Sequence, residues 1–123
     1  MKTYYTDQHE WISLEGDTAT VGITAHAAKQ LGEVVYLELP EDGAKVAQGD
    51  SFAIVESSKT ASDVYAPASG TVLEVNAPLV TEMERINADP EKDAWLVRMK
   101  IDNPAELEKL MDKAAYDAFC EGH

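Results

Sequence analysis

At 123 residues and 45% hydrophobic content, the chain has the size and make-up of one ordinary globular domain. Its 23 acidic against 10 basic residues give a formal charge of −13, a surface that repels nucleic acid and anionic lipid and argues against both as partners. The single cysteine, Cys120, excludes an internal disulfide, and no apolar run is long enough to span a bilayer.

The first residues, Met1 to Asp7, contain neither an apolar signal core nor an Arg-rich amphipathic stretch, so a cytoplasmic protein is expected. Trp11-Ile12-Ser13-Leu14 is a short strand candidate closed by Glu15-Gly16-Asp17. Ala19, Val21 and Ile23 alternate with Thr18, Thr20 and Gly22, the period-two pattern of a half-buried strand. Thr24 then offers an N-cap and Gly32 a C-terminal cap, which predicts one or two helical turns over Ala25–Leu31.

Val34 to Leu39 is strand again, stopped by Pro40-Glu41-Asp42-Gly43. Beyond Val46 and Gly49-Asp50, Phe52-Ala53-Ile54-Val55 and Val64-Tyr65 are two strand-forming runs around the polar segment Glu56 to Asp63. Turn residues punctuate both sides at matched distances, Gly49-Asp50 before and Ser69-Gly70 after, so Lys59 is placed at a hairpin tip with its ammonium exposed. No Asn-Gly or Asp-Gly pair marks the turn, so its position comes from symmetry.

Val72-Leu73-Glu74-Val75 and the alternating run Trp95 to Ile101 are later strands. The frequency of short strands predicts an all-β sandwich or barrel. Asn103-Pro104-Ala105-Glu106 carries a cap, a proline at the first helical position and a glutamate three residues on. Leu107, Leu110, Met111, Ala114 and Ala118 follow at helical spacing, predicting an amphipathic helix over about 104–120, with Tyr116, Phe119 and Cys120 in a second turn-separated piece as the alternative.

Catalytic and metal motifs are thin. His9, His26 and His123 make no ligand spacing with Cys120, there is no HExxH, CxxC or Gly-x-Ser-x-Gly element, and no Gly-rich phosphate loop. Neither a metal centre nor an active site of the chain's own is expected.

Taken in order, His9-Glu10-Trp11, Val21-Gly22-Ile23-Thr24, Leu31-Gly32-Glu33-Val34-Val35, Leu39-Pro40-Glu41, the run Val55 to Asp63, Ala66-Pro67, Ser69-Gly70 and Glu74-Val75-Asn76 form one series. That series closely resembles the H-protein family of the glycine cleavage system, from about Tyr4 to Cys120. The resemblance implies a flattened β-barrel or sandwich-hybrid domain of the lipoyl-domain type. It would be a single domain over 1–123, with a core of about 4–102, short helices and a C-terminal helix.

It implies lipoate in amide linkage on Lys59, which would take the formal charge from −13 to −14 (−13 − 1). The arm would carry an aminomethyl group from a pyridoxal-phosphate glycine decarboxylase to a tetrahydrofolate-dependent aminomethyltransferase. A dihydrolipoamide dehydrogenase would reoxidise it, and a lipoate-attaching enzyme would install it. Glu56 and Gly70 match positions that guide lipoylation, while Gln8, Glu10 and Asp63 match those that shelter the loaded arm. A monomer and a carrier rather than an enzyme are expected.

Ser58 and Thr60 stand where the family usually has Val and Ala, and the stretch before Trp95 lacks the family's usual aromatic and glycine residues. A biotin carrier is disfavoured because Ser58 and Thr60 replace its flanking methionines. A lipoyl domain of a 2-oxo acid dehydrogenase would be expected to bring a long linker. A lipoyl-relay donor and an unmodified interaction module remain as alternatives.

Overall fold

The computed structural model describes residues 2–91 and 94–121, organised as two antiparallel sheets that share one hydrophobic core. The larger sheet runs in the order β1 (Lys2–Tyr5), β2 (Glu10–Glu15), β3 (Thr18–Ile23), β9 (Val97–Ile101), β8 (Gly70–Val75) and β5 (Lys45–Val46). The smaller sheet holds β4 (Val34–Glu38), β6 (Ser51–Ser57) and β7 (Ala61–Tyr65), with β6 in the middle. The sheets do not close on each other, so the architecture is the sandwich form of the expected fold.

Side-chain alternation sorts the residues between core and surface. On β3, Ala19, Val21 and Ile23 are buried as their period predicts, and on β9 Val97, Met99 and Ile101 are buried while Arg98 and Lys100 face water. Val55 and Val64 supply the matching inner face of the small sheet. Helix α1 (Ala25–Leu31) forms where its caps predict it, with Thr24 Oγ1 accepting from the Ala27 N–H at 3.2 Å. A 3-10 turn (Ala77–Val80) and helix α2 (Glu84–Ala88) plug one end of the core with Leu79 and Ile86, neither leaving any exposed surface.

The continuous form of the C-terminal helix is corrected, and the alternative forms instead, with Tyr116, Phe119 and Cys120 in a second, separate piece. Pro104–Lys109 is a 3-10 helix, and helix α3 is the separate segment Lys113–Glu121. Between them Met111 forms an antiparallel bridge to Tyr5, exchanging backbone hydrogen bonds of 2.8 and 2.9 Å. That pairing takes the chain out of helical geometry, and Asp112 restarts it by accepting from the Ala115 N–H at 2.8 Å. Glu106 does not reach back to its cap; its carboxylate accepts from the Ser69 N–H and hydroxyl at 2.8 and 2.9 Å. Ala114 and Ala118 are consequently exposed, and α3 packs through Tyr116 with Phe119 and Cys120 half-buried. Tyr116 stacks on Tyr5 with ring centroids 4.7 Å apart, building a second apolar cluster with Trp11.

Candidate functional site

The β6–β7 turn is organised by one hydroxyl. Ser57 Oγ accepts from the Lys59 and Thr60 backbone N–H groups at 3.2 and 3.1 Å, while the Ser57 N–H donates to the Thr60 carbonyl at 2.7 Å. A serine side chain thus replaces the Asn-Gly chemistry that the turn lacks. Ser58, Lys59 and Thr60 are all exposed.

Beneath the tip lies the corner between α1 and β4. Gly32 closes α1 at φ +81, in the left-handed region that favours glycine. A Cβ there would lie 3.1 Å from Lys59 Cε, so the bare backbone gives the lysine stem room to lie across it. Asn87 of α2 clamps the corner, donating through Nδ2 to the Gly32 carbonyl and accepting the Val34 N–H at 3.1 Å. The Ser58 N–H reaches the Glu33 carbonyl at 3.4 Å, joining tip to corner. Ser57 and Asn87 are missed as supports by sequence reasoning; Ser57 carries a signal, being a hydroxyl two residues before the displayed lysine.

Beside the hairpin opens a cleft of about 300 Å³, walled by Ile23, Leu31, Val55 and Val64. Gln8, Glu10 and Asp63, the three residues matched to arm shelter, all line it, and so does Thr60 of the hairpin tip. Glu10 is the buried one, 2% exposed. Its Oε1 accepts from the Thr6 hydroxyl at 2.6 Å and its Oε2 from the Tyr65 N–H at 3.4 Å. Burial pushes the Glu10 carboxyl from its ordinary 4.5 up to about 7, and these two hydrogen bonds only partly offset it. Asp63 sits at the exposed rim, accepting from the Ser51 hydroxyl at 3.1 Å.

Thr6, another missed residue, also accepts the Glu10 and Gln8 N–H groups at 3.0 and 3.3 Å. Together these bonds fold the loop that holds His9 at φ 67, an uncommon conformation for a residue with a side chain.

Glu56 and Gly70 are not brought together. Glu56 lies half-buried on β6, paired with Tyr36 and Ala61, and is not among the residues that line the cleft. Gly70 begins β8 in the other sheet, and a Cβ there would collide with the Lys100 carbonyl oxygen of β9. Gly70 therefore has a steric reason to be glycine whatever else it does.

His9, His26 and Cys120, which show no ligand spacing along the chain, are gathered by the fold so that one donor atom from each lies within 4.8 Å of the others. His123 lies outside the described residues.

Comparison with known proteins agrees along almost the full length. A family model described as glycine cleavage H-protein matches residues 3–123. The glycine cleavage system H protein of Phenylobacterium zucineum is 57% identical over 115 residues, covering 94% of this chain and 95% of that one. The protein of the same description from Thermotoga maritima is 55% identical, with 94% of each chain covered. A crystal structure of a glycine cleavage system H protein from Mycobacterium marinum superposes with a TM-score of 0.89 at 36% identity, covering 99% of this chain and 98% of that chain.

Proposed function

Because the chain belongs to the glycine cleavage H-protein family, we propose that Lys59 is the residue on which it bears its lipoyl group. The protein is a carrier component of that system and not a catalyst, so its chemistry lies in display, shelter and release. The observation that carries the assignment is an exposed lysine at a turn fixed by Ser57, with its stem over bare backbone at Gly32 and a cleft beside it.

A lipoyl amide on Lys59 would supply reversible thiol–disulfide chemistry and a sulfur for the one-carbon amine cargo. The residues present fit it. The tip leaves Nζ open to a modifying enzyme, and the apolar walls Ile23, Leu31, Val55 and Val64 suit the hydrocarbon part of an arm folded back. Ionised Glu10 would hold a cationic amine by a charge-assisted hydrogen bond in a site poor in water, which slows hydrolysis. Gln8 and Asp63 would flank that contact from the cleft wall and its rim. Glu56, on β6 of the same hairpin, would serve recognition by the lipoate-attaching enzyme.

The other components of the glycine cleavage system are its partners. Within that set, glycine decarboxylase, the aminomethyltransferase and dihydrolipoamide dehydrogenase would visit Lys59 in turn, with the chain acting as one monomeric domain in the cytoplasm. No described helix is long and apolar enough to cross a membrane.

Intact mass measurement of protein from a lipoate-competent host tests the assignment. The expected result is a lipoyl increment on Lys59 that disappears in Lys59→Arg together with loading of one-carbon units. A biotinyl increment, no increment, or a Lys59→Arg variant that is still loaded would overturn it.

A further inference from the structure

Three segments converge behind the loop that carries His9. His9 lies between β1 and β2, His26 in the first turn of α1 and Cys120 in the last turn of α3. One nitrogen of each imidazole and the Cys120 sulfur all lie within 4.8 Å of one another. In a tetrahedral zinc site with Zn–N near 2.0 Å and Zn–S near 2.3 Å, such donor atoms stand about 3.3–3.6 Å apart. Closing the difference takes side-chain movements of about an ångström. The two imidazole rings are already neighbours, with centroids 4.5 Å apart and planes tilted by 35°.

A second observation points to a missing partner. His26 Nε2 is buried without a hydrogen-bond partner among the described residues. Folded proteins rarely leave such an atom unsatisfied, because nothing repays the lost hydration. On the His9 side, Tyr116 ties the cluster to the N-cap of α1. The Tyr116 hydroxyl lies 2.7 Å from His9 Nδ1 and 2.7 Å from Thr24 Oγ1.

We propose that His9, His26 and Cys120 form a binding site for a borderline divalent transition metal, with Zn²⁺ the fitting ion. Two imidazoles and one thiolate select such an ion over the hard cations that the many surface carboxylates attract. Three protein donors leave one tetrahedral position for water. His9 also lines the cleft beside Glu10, so an ion here would brace the loop between β1 and β2. The inference concerns residues apart from Lys59 and stands independently of the lysine's modification.

The test uses the full-length chain, reduced and stripped with a chelator, in millimolar Mg²⁺ to silence carboxylate binding. Titration with Co²⁺ should give one equivalent with a sulfur-to-cobalt charge-transfer band, which Zn²⁺ then displaces. His26→Asn should weaken Zn²⁺ binding by about tenfold or more, and Cys120→Ser should abolish the charge-transfer band, with circular dichroism confirming that both fold. Zn²⁺ should also slow alkylation of Cys120 in the unaltered protein, a readout that needs no variant. The proposal fails if no thiolate band appears, or if Zn²⁺ leaves Cys120 alkylation unchanged, as when a water fills the space beside His26. It fails equally if a double variant carrying both His26→Asn and Cys120→Ser binds Zn²⁺ as tightly as the parent.

Discussion

Replacing Glu10 by Gln isolates the one strongly displaced acid of the cleft. The folded protein raises the Glu10 carboxyl from 4.5 to about 7, while in the unfolded chain it returns to its ordinary value. Between those limits the folded state holds the proton that the unfolded state has released. Stability contributed by the neutral acid is therefore complete below about pH 4.5 and is lost as pH rises through about 7. The shift is worth about 3 kcal/mol in all, of which roughly 2.5 kcal/mol falls between about pH 5 and pH 8. With 2% of its surface exposed, Glu10 escapes the solvent screening that would shrink this figure. Gln keeps the shape of the neutral acid but cannot ionise.

Urea unfolding of both proteins across this range gives the difference in stability at each pH. Parent minus Glu10→Gln should fall by roughly 2.5 kcal/mol from about pH 5 to pH 8, a relative midpoint shift of roughly 1–2 M urea. Any fixed difference in hydrogen bonding to Thr6 and Tyr65 moves that curve without changing its slope. A level curve would refute the reasoning, since it would mean that the carboxyl is hydrated in the folded protein. With Glu10 about half ionised near neutrality, a cationic amine docking there should also expel a proton, measurable as buffer-dependent heat of loading.

Ser57→Ala should cost about 1 kcal/mol and speed amide exchange at Lys59 and Thr60, because their N–H groups lose a shared acceptor; unchanged exchange would remove Ser57 from its role. Gly32→Ala should destabilise by about 1 kcal/mol or more, since φ is +81 there, and should slow lipoylation by crowding the Lys59 stem; thermal melts and a lipoylation time course check both. Gly70→Ala should destabilise by roughly 3 kcal/mol or more through its clash with the Lys100 carbonyl, while any folded fraction is lipoylated at the parental rate. Slow lipoylation of a fully stable Gly70→Ala protein would instead make Gly70 a recognition residue.

Locally encoded elements were the legible ones. Thr24 and Gly32 bracket α1 because capping is decided within a few residues, and the alternation of Ala19, Val21 and Ile23 is a property of one strand. β1 carries no such pattern; Lys2 to Tyr5 become a strand by pairing with β2, where Tyr5 opposes Trp11. The C-terminal helix was over-extended for the same reason, because the Tyr5–Met111 bridge that interrupts it joins opposite ends of the chain. α2 and the 3-10 turn before it are short and hold their places through Leu79 and Ile86 in the core, which no local rule announces. In the site, the exposed Lys59 hairpin followed from strand symmetry, and resemblance pointed to Glu10. The burial that displaces its carboxyl depends on the meeting of two sheets and a helix. The gathering of His9, His26 and Cys120 is likewise a tertiary fact.

The missing side chain at Gly32 bears on how far a tether can travel. With Lys59 Cε lying over the bare backbone of Gly32, the sweep of a group attached at Nζ begins already tilted over the α1 corner. An enzyme calling at the tip can lengthen that radius by lifting the stem away from Gly32. Range and parking angle are thus set by an alcove one atom deep.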